Sequence, residues 1–173
     1  MVQSGNGAVG GGASYTISLV NTVPIALAMM EVSNSPEILT PSAEPFEDSN
    51  GNGEYNQGEP YTDWNQNGQW SPIVEPIDLS EDWDIDVSLS GNNRIIGISN
   101  WNSPLEPALN ELFKINCHVS DQAELGDEAT ISTNVRLILD AWGNSGVPCV
   151  NVDGTVTISE ALSSKNDPSQ LPL

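Results

Sequence analysis

Basic residues are nearly absent from the sequence. Of its 173 residues, 4 are Lys or Arg and 24 are Asp or Glu, which gives a formal net charge of −20. Such a chain repels the phosphate backbones of nucleic acids, so we expect no nucleic-acid partner, and anionic membrane surfaces are disfavoured for the same reason. Repulsion among the acidic groups also destabilises a compact state, and bound divalent cations would relieve it.

Long apolar runs are absent too. No stretch approaches the roughly 18 apolar residues that a membrane helix requires, so we expect no membrane insertion. Residues 1–12 have neither the basic region nor the apolar region of a signal peptide. If the protein is exported, we therefore expect this sequence to be its mature form or an excised domain.

What the sequence has in abundance is a polar segment, residues 48–70, crowded with Asp, Asn, Glu and Gly. Its beginning matches the calcium-loop pattern D-x-[DN]-x-[DN]-G-x5-E, in which alternating side-chain oxygens and a turn glycine surround the ion. The predicted ligands, in order, are Asp48, Asn50, Asn52, Glu54 through its backbone carbonyl, Asn56 through water, and Glu59 as a bidentate carboxylate. So polar a segment cannot bury enough apolar surface to order itself, and we predict that calcium orders it. The alternative is a solvated turn region without metal.

The same pattern restarts four residues later but stays incomplete. Its predicted ligands are Asp63, Asn65, Asn67 and the backbone carbonyl of Gln69. Position 12 is Val74, so this loop needs a carboxylate from Glu75, from Asp78 or from an acid of the first loop. The first loop thus predicts one calcium ion, and the second loop offers a place for a second ion. Because no helices flank the loops, the segment is not an EF-hand domain.

Cysteine is scarce, and the two residues present are Cys117 and Cys149. They show no CxxC or Cys/His spacing, which argues against a zinc site. We expect one disulfide between them if the compartment is oxidising, the alternative being two buried free thiols. The disulfide is favoured because calcium loops of modest affinity suit the calcium-rich exterior of cells.

On both sides of the polar segment, apolar and polar residues alternate as they do in β-strands, and no amphipathic helix is found. The predicted strands include 14–20, 24–32, 83–89, 94–99, 111–119, 130–140 and 155–159. Residues 1–13 are rich in glycine, and we expect them to be flexible, with at most a short edge strand near Val2. Eight or nine short strands separated by turn signals predict an all-β fold, an antiparallel β-sandwich. The alternation places Cys117 in the core and Leu112 and His118 on the opposite face.

Three stretches of the scaffold follow one another in an order that is found in a known family of domains. They are GNGAVGGGASYTISLVNTVPIALAMMEV (5–32), NNRIIGISNWNSPLEPALNELFKINCHVSDQAELGDEATIS (92–132) and NVDGTVTI (151–158). This order resembles that of cohesin domains and of the β-sandwich superfamily that cohesins share with some carbohydrate-binding modules. The resemblance implies a nine-stranded jelly-roll in one domain, residues 1–160, with an insertion at 44–78 and a polar tail or linker at 161–173. It also implies a dockerin-type protein partner, since cohesins bind dockerins through one sheet face.

No catalytic constellation accompanies this scaffold, and we predict that the protein is not an enzyme. His118 is the only histidine, and Asp84 and Asp86 are spaced like solvent-facing residues of one strand rather than like a glycosidase pair. Trp64 and Trp70 in the insertion could stack on sugar rings, but we expect them to pin the insertion to the sandwich.

These inferences together predict a non-catalytic, extracellular or cell-surface calcium-binding module that mediates protein–protein interaction. One alternative is a structural subunit of a calcium-stabilised surface layer or filament, in which the partners are copies of the same chain. Another is a carbohydrate-binding module that takes polysaccharide through the two tryptophans of the insertion.

Overall fold

The computed structural model describes residues 2–159, apart from residues 4, 37, 81, 91–92 and 149–152. This part of the chain contains no helix, and therefore none that could cross a membrane. Its strands are β1 (Val2–Gln3), β2 (Gly5–Ala8), β3 (Gly12–Val20), β4 (Ile25–Ser35), β5 (Leu39–Pro41), β6 (Val74–Pro76), β7 (Asp84–Ser90), β8 (Asn93–Ser99), β9 (Leu109–Val119), β10 (Glu128–Asp140) and β11 (Gly154–Ser159). Cys149 and the predicted tail, residues 161–173, lie outside the described residues.

Hydrogen bonds join the strands into one curled sheet in the order β5–β9–β3–β2–β11–β10–β4–β8–β7, with β1 and β6 attached to β3 and β9. Neighbouring strands are antiparallel, except that β2 runs parallel to β11. The sheet curls around a single hydrophobic core, so its two halves pack as the layers of a β-sandwich. The predicted all-β sandwich is therefore confirmed, with a mixed rather than a purely antiparallel sheet.

The core is built from the inward faces of both halves. On one side, Ile17 of β3 pairs with Phe113 of β9 and Tyr15 pairs with Ile115, and all four side chains are buried. The other half faces them with Ala28, Met30, Val32, Ile96, Ile98, Ile131, Val156 and Ile158. Removal of these apolar side chains from water drives the sheet to close on itself.

Two β-bulges change the faces that strict alternation predicts. In β9 the register with β3 shifts beside Leu112, so Leu112 and Phe113 are both buried. In β10 the register with β4 shifts between Val135 and Leu137, after which Leu137 faces outwards and Ile138 faces the core. The outward placement predicted for Leu112 is wrong, because one extra residue in a strand reverses the faces that follow.

The N-terminal segment belongs to the sheet: the short strand predicted near Val2 is found as β1, whereas β2 contradicts the flexibility predicted for the rest. Strand β2 lies between β3 and β11, and Val2 of β1 is buried. A Cβ on Gly154 would lie 2.7 Å from the Val2 side chain, and a Cβ on Gly7 would lie 2.7 Å from that of Ala13. Glycine is required at both positions because the strands approach closely there.

Strand β9 holds both ends of the insertion. Strand β5 leads into the insertion, β6 leads out of it, and both pair with β9. The Asn116 carbonyl accepts a hydrogen bond from the Ser42 amide at 3.0 Å, and the Asn116 amide donates to the Ile73 carbonyl at 2.9 Å. The Asn116 side chain also donates to the Pro72 carbonyl at 2.8 Å. The start and the end of the insertion are thus fixed at one residue of the sandwich.

Candidate metal centre

The first predicted calcium loop is folded around Asp48. Its carboxylate accepts hydrogen bonds from the backbone amides of Gly51, Asn52 and Gly53, at 2.6, 3.1 and 2.7 Å. These donors, the Gly53 amide first, hold the pKa of Asp48 below its ordinary value. A charged carboxylate is thereby fixed at position 1, where the first calcium ligand is expected.

The asparagine side chains of this loop converge. The side-chain oxygen of Asn56 accepts hydrogen bonds from the side-chain amides of Asn50 at 2.6 Å and Asn52 at 3.2 Å. The oxygens of Asn50 and Asn52 accept the backbone amides two residues further on, each at 2.9 Å. The backbone carbonyl of Glu54, at position 7, accepts from the Asn56 side chain at 3.3 Å. Positions 3, 5, 7 and 9 are therefore gathered on one side of the loop.

Glu59 closes the loop from its far end. Its Oε1 accepts a hydrogen bond from the Ser49 amide at 2.9 Å, and its Oε2 accepts from the Asn56 amide at 2.8 Å. Glu59 is 9% exposed, whereas Asp48 is exposed. The carboxylate at position 12 is thus fixed by backbone donors at positions 2 and 9 of the same loop.

The second loop repeats the arrangement around Asp63. Its carboxylate accepts hydrogen bonds from the amides of Asn67 at 3.1 Å and Gly68 at 2.8 Å. The Asn65 oxygen accepts from the Asn67 amide at 3.0 Å, and the Asn67 oxygen accepts from the Gln69 amide at 2.7 Å. The four ligands predicted here therefore have the same relation to one another as their counterparts in the first loop.

Glu75 and Asp78, which the sequence offers as the missing carboxylate of the second loop, contact other groups. Glu75 forms an ion pair with Lys114 at 2.5 Å, on strand β9. Asp78 accepts a hydrogen bond from the Glu111 amide at 2.7 Å, also on β9. Both acids thus tie the exit of the insertion to the sandwich, and neither expectation is supported.

Glu44 is the carboxylate that contacts the second loop, and sequence reasoning missed it. It is 3% exposed. Its Oε1 accepts hydrogen bonds from the amides of Trp64 at 2.8 Å and Asn65 at 3.2 Å, and its Oε2 accepts from the Ser71 amide at 3.0 Å. These donors lie at positions 2, 3 and 9 of the second loop.

A tandem repeat of 15 residues is the sequence signal that could have found Glu44. Residues 44–58 read EPFEDSNGNGEYNQG and residues 59–73 read EPYTDWNQNGQWSPI. The repeats pair with each other, because the Glu47 amide donates to the Pro60 carbonyl at 2.8 Å and the Thr62 amide donates to the Pro45 carbonyl at 2.9 Å. The two bonds join equivalent residues of the two repeats, so the repeats are related by an approximate local twofold axis.

Positions 4 and 6 of both loops have a left-handed backbone. The φ angles are 75° at Gly51 and 78° at Gly53 in the first loop, and 58° at Gln66 and 77° at Gly68 in the second. Side chains with a Cβ disfavour this conformation, and Gln66 is the one non-glycine residue with positive φ in the described chain. The two repeats therefore follow the same backbone path despite their different residues.

An aromatic cluster joins the two repeats. Tyr55 stacks on Trp70 with ring centroids 4.7 Å apart. Phe46 and Tyr61 contact the edges of Tyr55, each at 5.8 Å, and Trp70 donates its indole hydrogen to the Glu44 carbonyl at 2.7 Å. Clusters of this kind bury apolar surface in a segment that otherwise has little of it.

Trp64 attaches the second loop to the sandwich. Its ring lies 4.5 Å from that of His118 on β9, and its carbonyl accepts a hydrogen bond from the Gly12 amide at 3.1 Å. Trp64 and Trp70 are both half-buried, which agrees with the expectation that they pin the insertion. His118, predicted to face away from the core, is the side chain that receives Trp64.

The donors in both loops are oxygens, and they fit calcium. Each loop brings two acids together with amide and backbone oxygens, which are the hard ligands that this ion prefers. No group of three or more His, Cys, Asp or Glu side chains that could hold a metal is present among the described residues. Each loop contributes two acids, fewer than the three that such a group contains.

The remaining predicted residues lie apart from the loops. Cys117 is buried and forms no disulfide with another described residue, and burial raises the pKa of its thiol to about 12. Its predicted disulfide partner, Cys149, lies outside the described residues, so the pairing stays a prediction. Asp84 and Asp86 are exposed on β7, as expected of solvent-facing residues.

An apolar stripe crosses the outer face of the sandwich. Met29 of β4 lies opposite Leu137 of β10, and they are 38% and 36% exposed. Two residues further along the same strands, Leu27 and Leu139 lie opposite each other on this outer face and are half-buried. Asp86 on the edge strand β7 lies in the same row as Met29. Contiguous exposed apolar surface is one of the features that mark interaction sites.

The chain is similar in structure to solved cohesin modules. A non-cellulosomal cohesin from the hyperthermophilic archaeon Archaeoglobus fulgidus matches it with a TM-score of 0.59 and 17% identity, over 92% of both chains. A cohesin from Clostridium thermocellum, solved in a type I cohesin–dockerin complex, matches with a TM-score of 0.59 and 12% identity, over 91% of this chain and 96% of that one.

The sixth cohesin of scaffoldin B from Acetivibrio cellulolyticus, solved in complex with a mutant dockerin, gives a TM-score of 0.59 and 10% identity, over 91% of this chain and 96% of that one. No protein-family model and no curated protein matches the chain. The structural likeness confirms the predicted cohesin-like fold across nearly the whole chain.

Proposed function

We propose that the protein is a non-catalytic, calcium-binding module that works outside the cell by binding another protein. The observation that carries the calcium part is the first loop, where backbone amides fix the carboxylates of Asp48 and Glu59 at its two ends. The cohesin-like fold supports the binding part, because two of the similar structures are cohesins in complex with dockerins.

Calcium would be held by oxygens of the insertion alone. In the first loop the ligands would be Asp48, Asn50, Asn52, Glu54 through its carbonyl, Asn56 through water, and Glu59. In the second loop they would include Asp63, Asn65, Asn67 and Gln69 through its carbonyl. With at most two acids for each ion, we expect dissociation constants on the order of 10⁻⁴ to 10⁻³ M, the range of extracellular modules.

The charge of the chain supports the same proposal. Twelve of the 24 acidic residues lie between Glu44 and Asp86. Acids concentrated in this way repel one another and oppose the compact state. Two calcium ions would offset four negative charges in that region, and extracellular calcium is abundant enough to fill sites of modest affinity.

The partner is proposed to be a dockerin-type protein module that docks on the outer apolar stripe. Met29 and Leu137 provide exposed apolar contacts at the centre of this face. Asp86 lies in the same row, two strands from Met29, and the chain has a net charge of −20. This charge favours a partner with basic groups around its apolar contacts, because complementary charge speeds association and selects partners.

Limited proteolysis tests the calcium proposal. Cleavage within residues 48–70 is expected to be slow with calcium and fast after chelation, while the sandwich strands stay intact in both conditions. The reason is that ordering each residue of the insertion costs about 1–2 kcal/mol of backbone entropy, which ion binding must offset. Magnesium at the same ionic strength is the control, and equal cleavage with and without calcium would refute the proposal.

Self-assembly is a second candidate, and the edge of the sheet favours it. Strand β7 ends the path of the sheet and has no further neighbour among the described strands, so it offers an open edge to a second copy. Asp84 and Asp86 of one copy would repel the same residues of the other copy unless cations lie between them. Calcium-dependent growth in light scattering would support assembly. Polysaccharide binding through Trp64 and Trp70 has less support, because the Trp64 ring packs against His118 of the sandwich and the Trp70 ring stacks on Tyr55.

A further inference from the structure

The second loop lacks its own ligand at position 12, and a buried acid lies beside it. Val74, at that position, pairs with β9 and has no side-chain oxygen. Glu44 is 3% exposed, and no described cation pairs with it. Burying a charge without an opposite charge is costly. A carboxylate in this situation points to a positive ligand at the loop.

Glu44 and Glu59 accept equivalent hydrogen bonds in the two loops. Glu59 receives the backbone amides at positions 2 and 9 of the first loop, one on each oxygen. Glu44 receives the backbone amides at positions 2 and 9 of the second loop, again one on each oxygen. Glu44 therefore accepts from the second loop the hydrogen bonds that Glu59 accepts from the first.

The repeat in the sequence gives the same equivalence independently. Glu44 and Glu59 each open a repeat and are each followed by proline and an aromatic residue. Each lies four residues before the aspartate that opens a loop, Asp48 or Asp63. Glu59 opens the second repeat and closes the first loop, so the reciprocal role for Glu44 is to close the second.

We infer that Glu44 is the bidentate calcium ligand that completes the second loop. The glutamate at the start of each repeat then binds the calcium ion of the other repeat, so neither repeat contains a whole site. This inference rests on the proposed calcium function. It replaces Glu75 and Asp78 as the source of the missing carboxylate.

Counting bound calcium in the full chain tests the inference, with equilibrium dialysis against radioactive calcium. Wild type and Glu47→Gln, which removes an exposed acid of the same repeat, are expected to bind two ions. Glu44→Gln and Asp63→Asn should each weaken one site by about 100-fold. The other site should keep its ion and lose only the part of its affinity that comes from coupling between the loops. Their double variant should lose no further ion, because both changes affect the same site. Glu59→Gln should lose the other ion.

The outcomes separate this inference from the function on which it rests. Two ions bound to Glu44→Gln with wild-type affinity would overturn the role of Glu44 and leave the calcium function standing. No ion bound to the wild type would overturn the calcium function itself.

Thermal unfolding distinguishes a ligand from a purely structural residue. The thermal midpoints of wild type and Glu44→Gln are compared with calcium and after chelation. A midpoint that falls in Glu44→Gln only when calcium is present, together with the loss of one ion, supports ligation by Glu44. A midpoint that falls equally in both conditions would assign Glu44 a structural role and overturn the inference.

Discussion

Tyr55 and Trp70 stack with their ring planes 13° from parallel, and each is the residue at position 8 of its loop. The stack is therefore a direct contact between equivalent points of the two repeats. An ion that orders one loop fixes one ring of the pair, and the second ring then packs against an ordered partner. We expect the two calcium ions to bind with positive cooperativity for this reason.

Replacing Tyr55 with leucine should uncouple the two loops. Stacked aromatic pairs contribute about 0.5–1.5 kcal/mol beyond the area that they bury, so calcium affinity should fall about two- to tenfold and cooperativity should decrease. Isothermal titration calorimetry measures both. Trp101→Leu, which changes an exposed ring outside the insertion, is the control. An unchanged binding curve for Tyr55→Leu would show that the stack does not couple the sites.

Gly68 should tolerate asparagine better than alanine. Its φ of 77° is left-handed, and a Cβ placed on it meets no atom within 4 Å. The cost of substitution is therefore backbone strain alone, about 1–2 kcal/mol for alanine and less for asparagine, which adopts this conformation more readily. We expect Gly68→Ala to weaken one calcium site about five- to thirtyfold by calorimetry. Equal affinities for the alanine variant and wild type would contradict this account.

Asp140 should stabilise the fold in a pH-dependent way. Its carboxylate accepts hydrogen bonds from the Trp142 amide and from the Asn144 amide and side chain, and these, the Asn144 side chain first, lower its pKa. Stability from a lowered pKa is fully present above the ordinary value for aspartate, near 3.9, and is lost as pH falls through the lowered value. In urea unfolding, the difference between wild type and Asp140→Asn should be constant above about pH 5 and shrink below about pH 4. A difference that grows on acidification would contradict this expectation.

A charge on the outer apolar stripe should weaken partner binding without unfolding the chain. Met29→Glu places an acid at an exposed position, so we expect the thermal midpoint to change little. Central interface residues contribute about 2 kcal/mol or more when lost, roughly a thirtyfold change in affinity. Surface plasmon resonance with immobilised dockerin modules measures it, and Leu125→Glu, at another exposed position, is the control. An equal loss of dockerin affinity in both variants would show that the binding surface lies elsewhere.

The scaffold was predictable because alternation along a strand is a local property. Strands β3, β4 and β7–β11 lie where period-two patterns are found, and Cys117 is buried as predicted. The errors have non-local causes. Leu112 is buried because a bulge in β9 is set by its pairing with β3. Strand β2 packs inside the sheet because Gly7 allows a close approach to Ala13. From composition alone, the glycines of this segment predict flexibility instead.

The candidate site was predictable where its ligands follow one another in sequence. Asp48 and Glu59 belong to one contiguous motif, and their hydrogen bonds follow its register. Glu44 was missed because it precedes its loop by nineteen residues and reaches it through the pairing of the two repeats. A comparison of the insertion with itself would have revealed the shared Glu-Pro-aromatic opening. The outer stripe of Met29 and Leu137 depends on strand pairing, so it could not be read from either strand alone.

The number of calcium ions bound by the wild-type chain tests the central claim most directly. Native mass spectrometry of the full chain, recorded with calcium and after chelation, gives that number from the mass difference. Two calcium ions for each chain, released together by the chelator and not replaced by an equal concentration of magnesium, is the result that these loops predict. A chain that keeps the same mass in millimolar calcium, with no bound ion, would contradict the account.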